Sequence, residues 1–315
     1  MGAEVLSSRA IIGMFYNELA QDEGNGWVPE LSMYFESDQE SETYPWLGMS
    51  PAMRQRIGGR HAKGLSDQSI TIYNEDYEAT LAILVKHLRR DKTGQIRVRI
   101  QELVRRANSH WMKLLSELML VANATVCYDG QYFFDTDHSE GDSGTQDNDI
   151  SIDISEMDVS IKGSTTDPSV EQIAGVIVQS IQAILGFKDD QGEPMNEQAS
   201  KFIVKVAPSL LGKAASAVIN QFYASGTANI VKPTGFEVKV IPNVRLAAQT
   251  TSIQTYRTDA KTKPFIRQEE VGIEMAVVAE GSELEFNDAV HHYGISASRA
   301  VGLGYWQHAC LATMT

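Results

Sequence analysis

Apolar residues recur at intervals of three and four along one stretch of the chain: Ile96, Ile100, Leu103, Val104, Ala107, Trp111, Leu114, Leu115, Leu118, Met119 and Ala122. That spacing is the stripe of an amphipathic helix. The other face carries Arg97, Gln101, Glu102, Arg105, Arg106, Asn108 and Lys113. Thr93 is placed to cap the start and Asn123 to stop the end. A helix from Thr93 to Ala122 would be roughly 40–45 Å long, against a mean of about 11–12 residues for globular helices. The pattern therefore predicts a strut. Its single apolar face needs cover, and the apolar runs after Leu246 are the candidates.

The flanking sequence is less regular. A short amphipathic helix is predicted around Ile11, Met14, Phe15 and Leu19. About thirty residues of little periodicity follow, with Trp27, Tyr34, Phe35, Tyr44 and Trp46 set among Gly24, Gly26 and Pro29. Aromatic anchors on an irregular segment suggest an arm lying on another surface, so Trp27, Tyr34, Phe35 and Trp46 are candidate contacts to a neighbouring subunit. Residues 69–73 and 77–83 alternate like strands across Asn74-Glu75-Asp76, which predicts a hairpin or extended loop. A lone hairpin is marginal in water and needs a surface. Strands are expected at 150–154, 159–161, 202–206 and 236–241. Helices are expected from Pro168 to Gly186 and from Pro208 to Tyr223, so 124–246 reads as a compact α/β unit. The C-terminal third reads as strands at 252–257, 265–268, 272–278 and 294–310, forming a sheet on the long helix.

Charge changes this picture. The chain of 315 residues has a formal net charge of −14, unevenly placed. Residues 1–50 hold nine acids and one base, Arg9, and residues 129–161 hold ten acids and no Lys or Arg. Between them, bases outnumber acids, with Arg54, Arg56, Arg60 and Lys63 in a Gly-punctuated loop. Such asymmetry concerns partners rather than fold. It fits a molecule whose basic loop rests on acidic surface of an adjacent copy, which makes those four bases candidate inter-subunit residues. No apolar run reaches the ~18 residues of a membrane span, and the N-terminus lacks the features of a signal peptide. Cys127 and Cys310, the two cysteines, read as reduced, buried thiols in a cytosolic compartment.

The candidate chemistry is thin. Gly141-Asp142-Ser143-Gly144 imitates a serine-protease nucleophile loop, but its carboxylate neighbours would oppose a developing oxyanion. Asp135-Thr136-Asp137 opens like a calcium loop, yet Glu140 and Gln146 stand where the template needs Gly and Glu. A loose cation site at Asp135, Asp137, Asp142 and Asp147 is the basis of one alternative, a cytosolic metal-dependent hydrolase. A DNA-binding reading of the basic band at 54–113 conflicts with the acidic total. No catalytic residue, metal ligand or cofactor is expected.

Three stretches carry a resemblance: Thr43-Tyr-Pro-Trp-Leu-Gly48 with Ile57-Gly-Gly-Arg60 and 73–80, then Cys127-Tyr-Asp-Gly-Gln-Tyr-Phe-Phe-Asp-Thr-Asp-His138, then 293–307. Together they resemble the major head subunit of Mu-like phages and prophages. The resemblance implies an α+β fold, the Hong Kong 97-type phage capsid fold. It implies an N-terminal arm at 1–50, an extended loop at 51–84, a peripheral domain at 85–123 with 247–315, and an axial domain at 124–246. It further implies no enzyme, but a capsid protein forming hexamers and pentamers of an icosahedral head around double-stranded DNA. The implied partners are a separate scaffold and maturation protease, a portal protein and, in some heads, a decoration protein. Assembly would take place in the bacterial host cytoplasm, with no membrane involved.

Overall fold

A computed structural model describes residues 7–21, 26–45, 69–90 and 94–315. The chain opens with α1 (Ser8–Gln21) and α2 (Val28–Leu31), then β1 (Ser32–Glu36), β2 (Ser41–Pro45), β3 (Ser69–Tyr73) and β4 (Glu75–Leu84). Next come α3 (Val85–Arg90), α4 (Gln95–Asn108), α5 (His110–Val121), β5 (Asp149–Ile152), α6 (Val170–Gly186) and β6 (Lys201–Val206). The rest is α7 (Leu211–Ile219), β7 (Glu237–Pro242), β8 (Ser252–Arg257), β9 (Phe265–Val278), α8 (Glu283–Asp288), β10 (Val290–Leu303) and β11 (Ala309–Met314).

The strut is present but interrupted at Ser109. The Ser109 N–H still donates to the Arg105 carbonyl at 2.9 Å, while its hydroxyl donates to the Arg106 carbonyl at 3.2 Å. A side chain that competes for a preceding carbonyl in this way loosens the helix locally. The interruption divides two cores. Ile96, Ile100, Val104 and Ala107 of α4 pack with Ile11 and Phe15 of α1 and with Tyr293 and Ile295. Trp111, Leu114, Leu115 and Met119 of α5 join the larger core, which holds Val28, Leu31 and the α6 face. Gly94, at φ +71°, precedes α4; the expected cap, Thr93, lies outside the described residues.

Two sheets flank the strut. One has the order β1-β9-β10-β4 and the other β5-β11-β8-β6-β7. The C-terminal third therefore does not form one sheet as expected. Its long hairpin, β9 with β10, builds the first, while β8 and β11 complete the α/β unit. Period-2 alternation marks a strand but not its partner, and the same limit explains a second correction. Residues 69–73 and 77–83 do not pair with each other. β3 pairs with β2 (Ser41↔Tyr73), and β4 pairs with β10 (Leu84↔Val290). The stretch 26–45, expected to be irregular, is ordered by its own chain, because β1 lies parallel to β9 from Ser32↔Phe265 onward.

Local chemistry fixes several elements. The Ser169 hydroxyl accepts from Gln172 N while Gln172 Oε1 accepts from Ser169 N, a capping box that starts α6. The second predicted helix stops at Ile219 rather than Tyr223, and no strand forms at 159–161. The β2–β3 ribbon is anchored where Gln268 Nε2 donates to Asn74 Oδ1 at 2.9 Å and Tyr44 donates to Gln268 Oε1 at 2.8 Å. Buried Ile72 lies over Gly302, where a Cβ would stand 2.3 Å from its Cδ1, so any larger residue there would have to displace the Ile72 side chain.

Candidate functional site

The segment from Trp27 to Tyr44 ties the two sheets together. Its apolar residues Val28 and Leu31 are fully buried. Half-buried Trp27 covers Lys205 of β6, whose Nζ stands 3.3 Å from the ring centroid. Lys205 is itself fully buried, and its Nζ has no hydrogen-bond partner among the described residues. Desolvation pulls its pKa down to about 6, against the weaker upward pull of Glu30. A second cation–aromatic group sits beneath β1. Arg299 and Arg267 flank the Trp111 ring at 4.6 and 5.4 Å. Arg299 pairs with Glu269 at 2.8 Å, and Arg267 Nε donates to the Ser32 hydroxyl at 2.8 Å.

Strand alternation then sends Tyr34 and Phe35 to opposite faces. The Tyr34 hydroxyl donates to Glu269 Oε2 at 2.7 Å, and its pKa rises to about 12 through desolvation and that carboxylate. Phe35 lies 5.1 Å from the Tyr44 ring. Tyr34 remains 44% exposed and Phe35 38%. Of the residues expected to reach a neighbour, these two present apolar surface outward, whereas Trp27 is engaged within its own chain. Trp46, Arg54, Arg56, Arg60 and Lys63 lie outside the described residues.

The acidic segment 129–149 is structural. His138 stacks on Trp306 at 3.9 Å and meets Asp129 through Nδ1 at 2.6 Å, both side chains being buried. Gln307 donates to the Tyr128 hydroxyl at 2.7 Å, and that hydroxyl donates to Glu140 at 3.1 Å. Burial raises the pKa of both Tyr128 and Glu140. The network thus joins 127–140 to 305–307 through buried polar groups, although His138 Nε2, Trp306 Nε1 and Gln307 Oε1 find no partner among the described residues.

No reaction centre emerges from this segment. The Ser143 hydroxyl donates to the Gly144 carbonyl and accepts from Glu140 N, closing a turn rather than meeting a histidine. The carboxylate of Asp135 accepts from the N–H groups of Tyr132 and Thr136. Among the described residues, no group of three His, Cys, Asp or Glu side chains is disposed to hold a metal.

Two features were not expected from the sequence. A cleft of about 690 Å³ opens between the strut and the β4-β10-β9 face, reaching Val244 and Arg245. At the tip of the β9–β10 hairpin, α8 carries Phe286, 89% exposed. The available signal was Phe286 as an aromatic inside an acidic run, Glu283-Leu-Glu-Phe-Asn-Asp288.

Residues 10–160 match the family of the Mu-like prophage major head subunit gpT. The chain is 33% identical over 112 residues to the Mu-like prophage FluMu major head subunit of Haemophilus influenzae, covering 36% of each chain. It is 30% identical over 109 residues to the major capsid protein of Escherichia phage Mu, covering 35% of this chain and 36% of that one. These matches span about a third of the length of the curated relatives. Among solved structures, the procapsid of bacteriophage JBD30 aligns with a TM-score of 0.56 at 20% identity, over 98% of this chain and 75% of that one. The capsid of cyanophage P-SCSP1u aligns at 0.57 and 11% identity, over 90% and 86%. The chain resembles Mu-like major head subunits, and its fold is the α+β phage capsid fold of the Hong Kong 97 type.

Proposed function

We propose that the chain is a major capsid protein, a structural part of the virion rather than an enzyme. Copies associate into hexamers and pentamers that close an icosahedral head around double-stranded DNA. The observation that carries this reading is the agreement of nearly the whole fold with capsid subunits, combined with the head-subunit match over 10–160. Residues 124–246 with β8 and β11 act as the axial unit. The strut with β9 and β10 acts as the peripheral unit, and residues 51–84, which include β3 and β4, act as the extended loop. Scaffold, maturation protease and portal are separate proteins, and assembly takes place in the host cytoplasm.

Charge placement supports contact between copies. Exposed acids line β4 (Glu75, Asp76, Glu78), while Arg97, Arg99 and Arg106 stand outward on α4. Permanent interfaces bury about 2,000–5,000 Å², and a subunit with projecting ribbon and hairpin has the outline to reach that. The metal-dependent hydrolase around Asp135 has no support, since that carboxylate caps backbone N–H groups and the matched relatives are named as head proteins. Electron microscopy of the expressed chain tests the proposal. Shells or ring-shaped capsomers are expected; a small compact oligomer at all concentrations would refute it.

A further inference from the structure

We propose that the tip of the β9–β10 hairpin of one copy docks into the strut cleft of the next, with Phe286 as the inserted side chain. This rests on the capsid reading above and specifies one of its contacts.

Phe286 is 89% exposed, so it touches almost nothing in its own chain. An aromatic ring left in water is costly, since rings of this size bury about 150–250 Å² when they find a site. The α8 that presents it is held rigidly. The Ser282 hydroxyl accepts from Glu285 N, the Glu285 carboxylate accepts from Gly281 N at 2.7 Å, and His291 lies 3.2 Å from the same carboxylate. Glu283 and Asp288 are the other acids of the same short helix. The tip is thus an apolar knob in an acidic collar.

The cleft has the opposite character. Its apolar lining includes Leu103, Ala107, Ile273 and Ile295, and its bases Arg106, Lys113, Arg245 and Arg299 outnumber the one lining acid, Glu78; Arg106 also pairs with Glu102, Arg245 with Glu117 and Arg299 with Glu269. At about 690 Å³ it has room for the ring and the helical turn that bears it. Oppositely charged surroundings would guide docking and disfavour wrong registers.

The knob cannot reach its own cleft. Ile273 and Ile295 lie on the same paired strands as the tip, and the five rises from Ile273 to the end of β9 at Val278 set them about 17 Å back from it. Docking must join two copies through different surfaces. Such a head-to-tail contact closes into a ring when its rotation permits, which is the form a capsomer needs.

The experiment uses the full chain, with assembly followed by sedimentation and electron microscopy. Phe286→Ser should raise the concentration needed for assembly by about tenfold or more, as expected for a central aromatic anchor. The fold should be unaffected because the residue is exposed. Lys113→Glu with Arg245→Glu should do the same, and adding Glu283→Lys with Asp288→Lys should restore assembly. A Phe286→Cys, Leu103→Cys chain should form a ladder of linked copies on oxidation, the native Cys127 and Cys310 being buried. Wild-type assembly by Phe286→Ser, or equal cross-linking by Phe286→Cys alone, would overturn the contact and leave the capsid reading intact. Failure of the wild-type chain to assemble would overturn both.

Discussion

Lys205→Met should stabilise the fold at neutral pH, and by an amount that depends on pH. The Lys205 ammonium would sit in a fully buried position with no hydrogen-bond acceptor among the described residues. Its folded pKa of about 6 lies below the unfolded 10.5. Between those values the unfolded chain holds a proton that the native chain lacks, so this group makes stability rise with pH across the window and lowest below pH 6. The gap corresponds to roughly 6 kcal/mol below pH 6 and roughly 5 kcal/mol at pH 7. The Trp27 ring, 3.3 Å away, favours the charged form by up to ~2 kcal/mol when desolvated. The net gain for Lys205→Met at pH 7 is therefore about 3–5 kcal/mol, shrinking by about 1.4 kcal/mol per pH unit toward alkaline pH. Methionine keeps the stem packed and offers a thioether to the ring. Urea unfolding of both chains, followed by far-ultraviolet circular dichroism from pH 6.5 to 8.5, gives the difference directly. Comparing the two cancels the other titrating groups. A variant no more stable than wild type at pH 7, or a difference that ignores pH, would refute the reasoning.

Trp111→Ala should cost about 3–5 kcal/mol, since the ring is 5% exposed and lies beneath Arg299 and Arg267; a loss below about 1 kcal/mol in urea unfolding would contradict that packing. Phe35→Ser should cost about 1–2 kcal/mol in unfolding, since the ring is 38% exposed and packs on Tyr44, and should also weaken assembly in sedimentation; shells forming at the wild-type concentration would remove Phe35 from the interface. Reversing Arg54, Arg56, Arg60 and Lys63 to Glu should prevent empty shells from forming. Should shells form normally while only DNA retention changes, those bases face DNA rather than a neighbour.

Local signals were read well where one segment decides its own conformation. β8 falls at Ser252–Arg257 as expected, and α6 ends at Gly186. The strut was legible because its stripe persists over about eight turns, but its interruption was not, since it falls at one residue, Ser109. Partner choice was illegible for a different reason. Residues 69–73 and 77–83 carry the same alternation whether they pair with each other or with strands elsewhere in the chain. The cation–aromatic groups are illegible in the sequence because Trp27 and Trp111 meet Lys205, Arg267 and Arg299 from distant segments. The His138–Asp129–Trp306 stack was also hidden, although both of its segments had been singled out as family motifs.

The strand pairings also order the molecule in time. β1 waits for β9, β4 for β10, and β5 for β11, so each early strand finds its partner more than 150 residues later. Ribosomes add about 5–20 residues per second, which leaves β1, β4 and β5 without their partners for roughly ten seconds or longer, while β2 and β3 can already pair with each other. During that interval the strut's apolar stripe has α1 but lacks the part of its cover that β10 supplies, a situation that invites chaperone binding. The strut cleft needs β9 and β10, and the Phe286 tip lies between them. A nascent copy therefore cannot join a growing ring through that contact before its hairpin has been made, which makes the order of synthesis a checkpoint on the order of assembly.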